Sequence, residues 1–411
     1  MFINEQTWEF VRQHAEDDVR RLALQGAKDG ETDLTVALRQ IAGRQTARRK
    51  LPSWAAVGGI IYPPHLNMEQ CSSEQTARYK AELAGEGQTF IDLTGGFGVD
   101  FYWMSQGFRE RYYVEQNAEL CDIAEHNFHL LSHTCTVVCG SAADCLSQMH
   151  HVSVIFLDPA RRNEHGGRTY GIADCTPNVL ELLPLLLEKG GQVILKLSPM
   201  LDWRKAVSDI EAAAHHPSPV THEVHIVSVD NECKELLLVL QKQEAQTLRL
   251  CCVNNDSRFE VVWSLQTGCL KPSSGSFEAS KQSVCSTDMP SPAFLYEPNA
   301  SIMKAGCFAE VEQRFSVRQL SANSHLFVSA GETAGFPGRR FRIEAVTTMN
   351  KRELKEALGG MERANIAVRN FPMTAEELRR KLKLKDGGDV FIFATTVQNN
   401  QHQLFICRKI G

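Results

Sequence analysis

The chain has 411 residues, 43% of them hydrophobic and 23% charged, with a net charge of −5. It is too long for one ordinary domain, so two to four are expected, and it can bury a sizeable core. Met1–Asp18 is polar and acidic, unlike a secretory signal, and the most apolar stretch, Val179–Leu187, contains Glu181 and Pro184 and is too short to span a membrane. The expected location is therefore cytoplasmic. Thirteen cysteines occur with no C-x-x-C (Cys135 and Cys139, and the adjacent Cys251-Cys252, come nearest), so reduced thiols are expected and no metal.

Residues 1–70 read as a helical domain. Trp8, Val11, Ala15, Val19 and Leu22 recur at helical spacing within one helix, Glu5–Leu24, and Leu34, Ala37, Leu38 and Ile41 form a second stripe. Residues 71–245 alternate strands and helices, the pattern of a parallel sheet covered on both faces. Its expected strands are Thr89–Leu93, Arg111–Glu115, Thr136–Cys139, Val152–Leu157 and Gln192–Leu197. The pair Glu223–Val229 and Glu235–Gln241 follows, joined so tightly that it must be antiparallel. Residues 246–338 read as a strand-rich connector and a small mixed domain. They have strands near Leu248–Val253 and Arg258–Leu265, a Ser/Pro/Gly-rich linker from Lys271 to Pro292, and a helix over Ala300–Gln313. Residues 339–411 hold 15 Lys+Arg against 8 Asp+Glu, net +7, which leaves −12 for the remainder. Such a basic block reads as a surface for a polyanion or as a solvated helix face.

Three segments carry the chemistry. Strand Phe90–Asp92 runs into Leu93-Thr94-Gly95-Gly96-Phe97-Gly98, a loop whose glycines allow a sharp turn and close backbone approach before a helix. Seventeen residues after Gly98, the next strand ends in Glu115. Farther on, Val154-Ile155-Phe156-Leu157 leads into Asp158-Pro159-Ala160-Arg161. Ligand sites of parallel α/β sheets lie at such carboxyl ends. A dinucleotide fingerprint beginning at Gly96 would need a third glycine where Phe101 stands, which argues against NAD.

Together the three segments resemble class I S-adenosylmethionine (SAM)-dependent methyltransferases, which have a Rossmann-like α/β sheet of seven strands. The resemblance implies SAM as cofactor, held by Asp92, Thr94, Gly95, Gly96, Gly98, Glu115, Gln116, Ala142 and Asp144. Asp92 would meet the α-amino group and Glu115 the ribose hydroxyls. Ser141 stands where such enzymes commonly carry an acid.

Asp158-Pro159-Ala160-Arg161 resembles the [Asn/Asp]-Pro-Pro-[Tyr/Phe] motif of methyltransferases acting on amino nitrogens. There the acid or amide accepts from the target amine, and alignment supplies most of the catalysis. Ala160 and Arg161 depart from the motif. Asp158, Pro159 and Arg161 are the expected catalytic residues, with Arg161 positioning the base by stacking or, with Arg162, holding phosphate. In the loop that follows, Arg162, Arg168 and Tyr170 are expected to grip substrate. Lys196-Leu197-Ser198-Pro199 could line the same crevice.

Roughly residues 70 to 411 resemble a bacterial family of class I methyltransferases with a C-terminal THUMP-like domain. The carrying segments are Ser72–Lys80, Asp92–Asp100, Leu157–Arg162, Tyr296–Ala300 and Ala305-Gly306. The resemblance implies a ferredoxin-like segment near 293–336 and a THUMP-like α+β module from about 340. THUMP domains bind RNA, which makes RNA (tRNA or rRNA) the expected partner and Arg339, Arg340, Arg379, Arg380, Lys381, Lys383 and Lys385 phosphate-contact candidates. The expected function is SAM-dependent methylation of an RNA base nitrogen. The alternatives are a methyltransferase of proteins or small molecules, and a non-catalytic RNA-binding protein on the same fold.

Overall fold

The computed structural model describes residues 3–26, 30–161, 171–265, 271–272, 293–397 and 400–410. The chain divides into two compact units. The first comprises Met1–Val224, Glu235–Leu248 and Leu265–Cys269; the second comprises His225–Lys234, Arg249–Ser264 and Leu270–Gly411.

The first unit is built on the strands β1 (Gly87–Asp92), β2 (Phe108–Glu115), β3 (Thr136–Cys139), β4 (Val152–Leu157), β5 (Gly190–Leu197) and most of β7 (Glu232–Leu240), while most of β6 (Thr221–Val229) falls in the second. They lie in the order β3-β2-β1-β4-β5-β7-β6. Strands β1 to β5 are parallel, and β7 enters antiparallel to β5, pairing Leu197 with Leu236 and Val193 with Leu240. Phe90, Ile91, Ile155, Leu157 and Val193–Leu195 are all fully buried. These continuous apolar runs are what a strand covered on both faces requires. Helices α1 (Glu74–Ala84), α2 (Val99–Met104), α3 (Ala118–Leu130) and α4 (Ala142–Gln148) connect or flank the strands. The order of β1, β4 and their neighbours reverses at β1, leaving the crevice of a doubly wound sheet above the ends of β1, β2 and β4.

The N-terminal helices share the sheet's core. Ala47, Leu51, Trp54, Ile60 and Tyr62 pack in one cluster with Phe90, Phe97, Phe101, Tyr113 and Phe128. Gln40 bonds both backbone groups of Tyr62, and Asn127 of α3 does the same for Ile61. The single helix expected over Glu5–Leu24 is two, Glu5–Gln13 and Val19–Gln25. Asp18 breaks it, because its carboxylate caps the second helix by accepting from the Arg21 N–H.

In the second unit, Thr247–Asn254 and Ser257–Ser264 are strands, near the expected positions. Apart from 271–272, the Lys271–Pro292 linker lies outside the described residues. The expected helix over Ala300–Gln313 is also two, Ala300–Ala305 and Phe308–Phe315, interrupted where Gly306 adopts a left-handed conformation. The C-terminal sheet comprises β8 (Phe294–Pro298), β9 (Arg318–Gln319), β10 (Phe327–Ser329), β11 (Gly338–Thr347), β12 (Asn365–Arg369), β13 (Val390–Thr396) and β14 (His402–Lys409). Their order is β9-β10-β8-β11-β14-β13-β12. Helix Ala375–Leu382 opens on a full capping box between Thr374 and Glu377. Among the described residues no helix is long and apolar enough to cross a membrane, and no disulfide joins the described cysteines.

Candidate functional site

The site grows out of the turn between β1 and α2. Gly95 is required because a Cβ there would sit 2.1 Å from the Tyr113 ring. Gly98, the N-cap of α2, has φ +84°, and a Cβ on it would strike Phe128 at 2.6 Å. Gly96 differs. It too has positive φ (+55°), but among the described residues a Cβ would meet no atom closer than 3.8 Å, so these leave that side of the loop open. The Tyr113 hydroxyl donates to the Gly96 carbonyl at 2.6 Å and fixes the turn from below.

Glu115 points at this loop. Its Oε2 accepts from the Gly96 N–H at 2.9 Å, and its Oε1 accepts from the Asn117 N–H at 2.9 Å. Each oxygen keeps a second acceptor direction. The Glu115 carbonyl accepts from the Gly140 N–H, which holds the turn after β3 beside it. There Ser141 caps α4, accepting from the Asp144 N–H at 3.1 Å; Ala142 is buried and Asp144 exposed. Gln116 is exposed at the end of β2.

Thr94 joins β1 to β4. Its N–H donates to Asp92 Oδ1 at 2.9 Å, and its hydroxyl accepts from the Asp158 N–H at 2.6 Å. Asp92 is 1% exposed and has no cationic partner among the described residues. Burial pushes its carboxyl well above the usual range. The Thr94 N–H opposes this, and the charges of Asp100, Asp158 and Glu115 add to it.

Asp158 is also raised, first by burial, while Lys196 pulls it back down. Lys196, at the end of β5, pairs with Asp158 Oδ2 and lies 3.6 Å from Asp100 Oδ2. Burial lowers the Lys196 ammonium, but Asp158, Asp100 and Glu235 outweigh it and hold the group above its ordinary value. Behind Asp100 stands a second lysine. Lys80 of α1 is fully buried, 3.1 Å from Asp100 Oδ1 and paired with Glu235 of β7. The Ser72 hydroxyl donates to Asp100 Oδ2 at 2.7 Å and accepts from Lys80 at 3.0 Å. Asp100 is held below the carboxylate range: burial alone would raise it, but Lys80 and Lys196 outweigh that.

Lys80, Asp100, Ser72 and Glu235 were not singled out from the sequence for this role. The signal lay in Ser72–Lys80, whose two polar ends meet at Asp100, Ser72 just ahead of α1 and Lys80 within it. Pro159 is buried next to Asp158, and Arg161 lies in a two-residue strand pairing with Cys175. Arg162, Arg168 and Tyr170 lie outside the described residues.

In the second unit the basic candidates fall into two groups. Arg339 is paired with Glu297, Arg340 with Glu332 and Arg379 with Asp386. Arg380, Lys381, Lys383 and Lys385 are exposed, around the end of helix Ala375–Leu382.

The strand order is that of the class I, SAM-dependent methyltransferase fold. Residues 294–337 match a ferredoxin-like domain family and residues 338–409 the THUMP domain-like family. Over its whole length the chain is similar to a protein of Porphyromonas gingivalis W83 provisionally assigned as a methyltransferase: 29% identity, 100% of both chains covered, TM-score 0.82. A provisionally assigned RNA methyltransferase from Pyrococcus horikoshii aligns at 14% identity over 47% of this chain and 93% of its own (TM-score 0.33). M. capricolum TrmK, solved with S-adenosyl-homocysteine, aligns at 12% over 41% and 69% (TM-score 0.31). No curated protein matches the chain.

Proposed function

We propose that the protein is a SAM-dependent methyltransferase acting on a base nitrogen of structured RNA, tRNA or rRNA. The carrying observation is the convergence of the open Gly96 turn, Glu115 and Asp158 at the ends of three adjacent parallel strands. The residues present suit the cofactor. Asp92, a buried carboxylate without a counter-charge among the described residues, is complementary to an ammonium. The free acceptor directions of Glu115 suit a pair of hydroxyls. When bound, SAM supplies an electrophilic methyl group.

The chain's own part is alignment. Lys196 holds one oxygen of Asp158, and Oδ1 has no partner among the described residues, so it can accept from a target N–H. An amine fixed in this way has its lone pair directed, and no strong general base is needed. RNA as substrate is supported by the THUMP-like domain and the exposed cations Arg380, Lys381, Lys383 and Lys385.

The test compares, by mass spectrometry, the nucleosides of RNA from cells lacking the protein with those of wild type. One methylated nucleoside should disappear, and RNA from the lacking cells should accept labelled methyl groups from SAM in vitro. Asp158→Ala should abolish that transfer while leaving SAM binding largely intact. Label entering a protein or small molecule but no RNA would remove the RNA reading.

A further inference from the structure

The second unit contains a cleft of about 610 Å³ that the methyl-transfer site does not use. That volume is within the ~300–1,000 Å³ of small-molecule pockets. Its walls come from the β6–β7 turn (Asn231), the strand end at Asn254, the start of helix Ala300–Ala305 (Asn299), and Arg340 and Lys409 of paired strands β11 and β14.

The three asparagines define its polarity. Asn254 Oδ1 accepts from the Asn231 N–H at 2.9 Å, and Asn231 Oδ1 accepts from the Ala300 N–H at 2.8 Å. Asn299 Oδ1 accepts from the Ile302 N–H at 3.1 Å and the Ser301 hydroxyl at 2.7 Å. A backbone N–H can only donate, so each bond fixes which end of the carboxamide is oxygen. All three NH₂ groups are thereby left as donors, and none has an acceptor among the described residues.

Two cations join them. Lys409 has no ion-pair partner among the described residues, and Arg340 uses only one nitrogen, 3.1 Å from Glu332. Among the described residues the one acid in the lining is Glu297, which is 4% exposed and bracketed by Arg339 and by Arg369 at 2.8 Å, so its charge is met from both sides. A cleft rich in donors, cationic, and with the carboxylate of Glu297 neutralised is complementary to an oxyanion.

We propose that this cleft binds a phosphate mono- or diester of nucleotide size. The group is either a free nucleotide or part of an RNA strand. The three NH₂ donors and Lys409 meet the phosphate oxygens.

The test is calorimetric titration of the full-length protein with inorganic phosphate, AMP, adenosine, and a short RNA with and without a 5′-phosphate. Asn254→Asp keeps the oxygen that accepts from Asn231 and replaces the donor by an anion. It should preserve thermal unfolding and weaken binding of the phosphate-bearing probe about tenfold or more. Lys409→Met, at an exposed position, is the second variant should Asn254→Asp perturb the turn, and should weaken binding in the same direction. Binding of AMP without RNA assigns a free nucleotide; binding of RNA without AMP assigns a strand. Adenosine binding as tightly as AMP, no binding of any probe at millimolar concentration, or equal binding by wild type and both variants would overturn the proposal.

Discussion

Lys80→Met tests whether the charge network behind the site is electrostatic in nature. The Lys80 side chain is wholly buried, 3.1 Å from Asp100 and paired with Glu235, and those two acids are 8% and 3% exposed. Methionine fills a similar volume but leaves both carboxylates short of a counter-charge. Lys196 compensates only in part, at 3.6 Å from Asp100 and already paired with Asp158. Breaking a buried pair by removing one partner costs about 3–5 kcal/mol, a large share of the roughly 5–15 kcal/mol that holds a domain together. Urea unfolding followed by tryptophan fluorescence reads the correct unit, because Trp8, Trp54, Trp103 and Trp203 lie in the first and only Trp263 in the second.

The pH dependence supplies the sign. In the wild type Asp100 is held below its ordinary pKa, so its stabilising contribution is present above the unfolded value and is lost as pH falls through the folded one. In the variant its pKa rises, so the penalty is greatest at neutral pH and fades on acidification, when protonation removes the buried charge. The gap between the two proteins should narrow as pH falls toward about 4. A loss under about 1 kcal/mol at pH 7, with a gap that does not change in acid, would refute the reasoning.

Three further outcomes follow from the site. Gly98→Ala must place a Cβ 2.6 Å from Phe128 at φ +84°, and should destabilise the first unit by about 2–4 kcal/mol in the same urea assay. Glu115→Ala removes the acceptor for the Gly96 and Asn117 N–H groups and should weaken SAM binding about tenfold or more by calorimetry; unchanged affinity would show that Glu115 serves only the turn. Asp92 is raised in the free protein, and an incoming ammonium favours its ionised form. SAM binding should therefore release a proton and tighten as pH rises through the elevated pKa, as read from calorimetry in buffers of different ionisation enthalpy; Asp92→Asn should abolish the proton release.

The parallel strands were legible because their apolar runs end in Asp92, Glu115 and Asp158, and a strand buried on both faces has little alternative reading. The glycine loop was legible because positive φ and close approach leave a residue-type signature, and the antiparallel β6–β7 pair because a short connection permits nothing else. Local chemistry also decided the helix breaks at Asp18 and Gly306, but periodicity carried on through both, since one capping side chain or one left-handed glycine alters the path without altering the apolar stripe. What tertiary structure alone decided is which charges meet. Lys80, Asp100, Lys196 and Glu235 come from four different elements and Ser72 from the loop before α1, and Glu235 is 155 residues beyond Lys80. Coulomb energy depends on distance in space and on the depth of burial. Neither is written in the order of the residues, so the partner of Asp158 appeared only when β5 was laid beside β4.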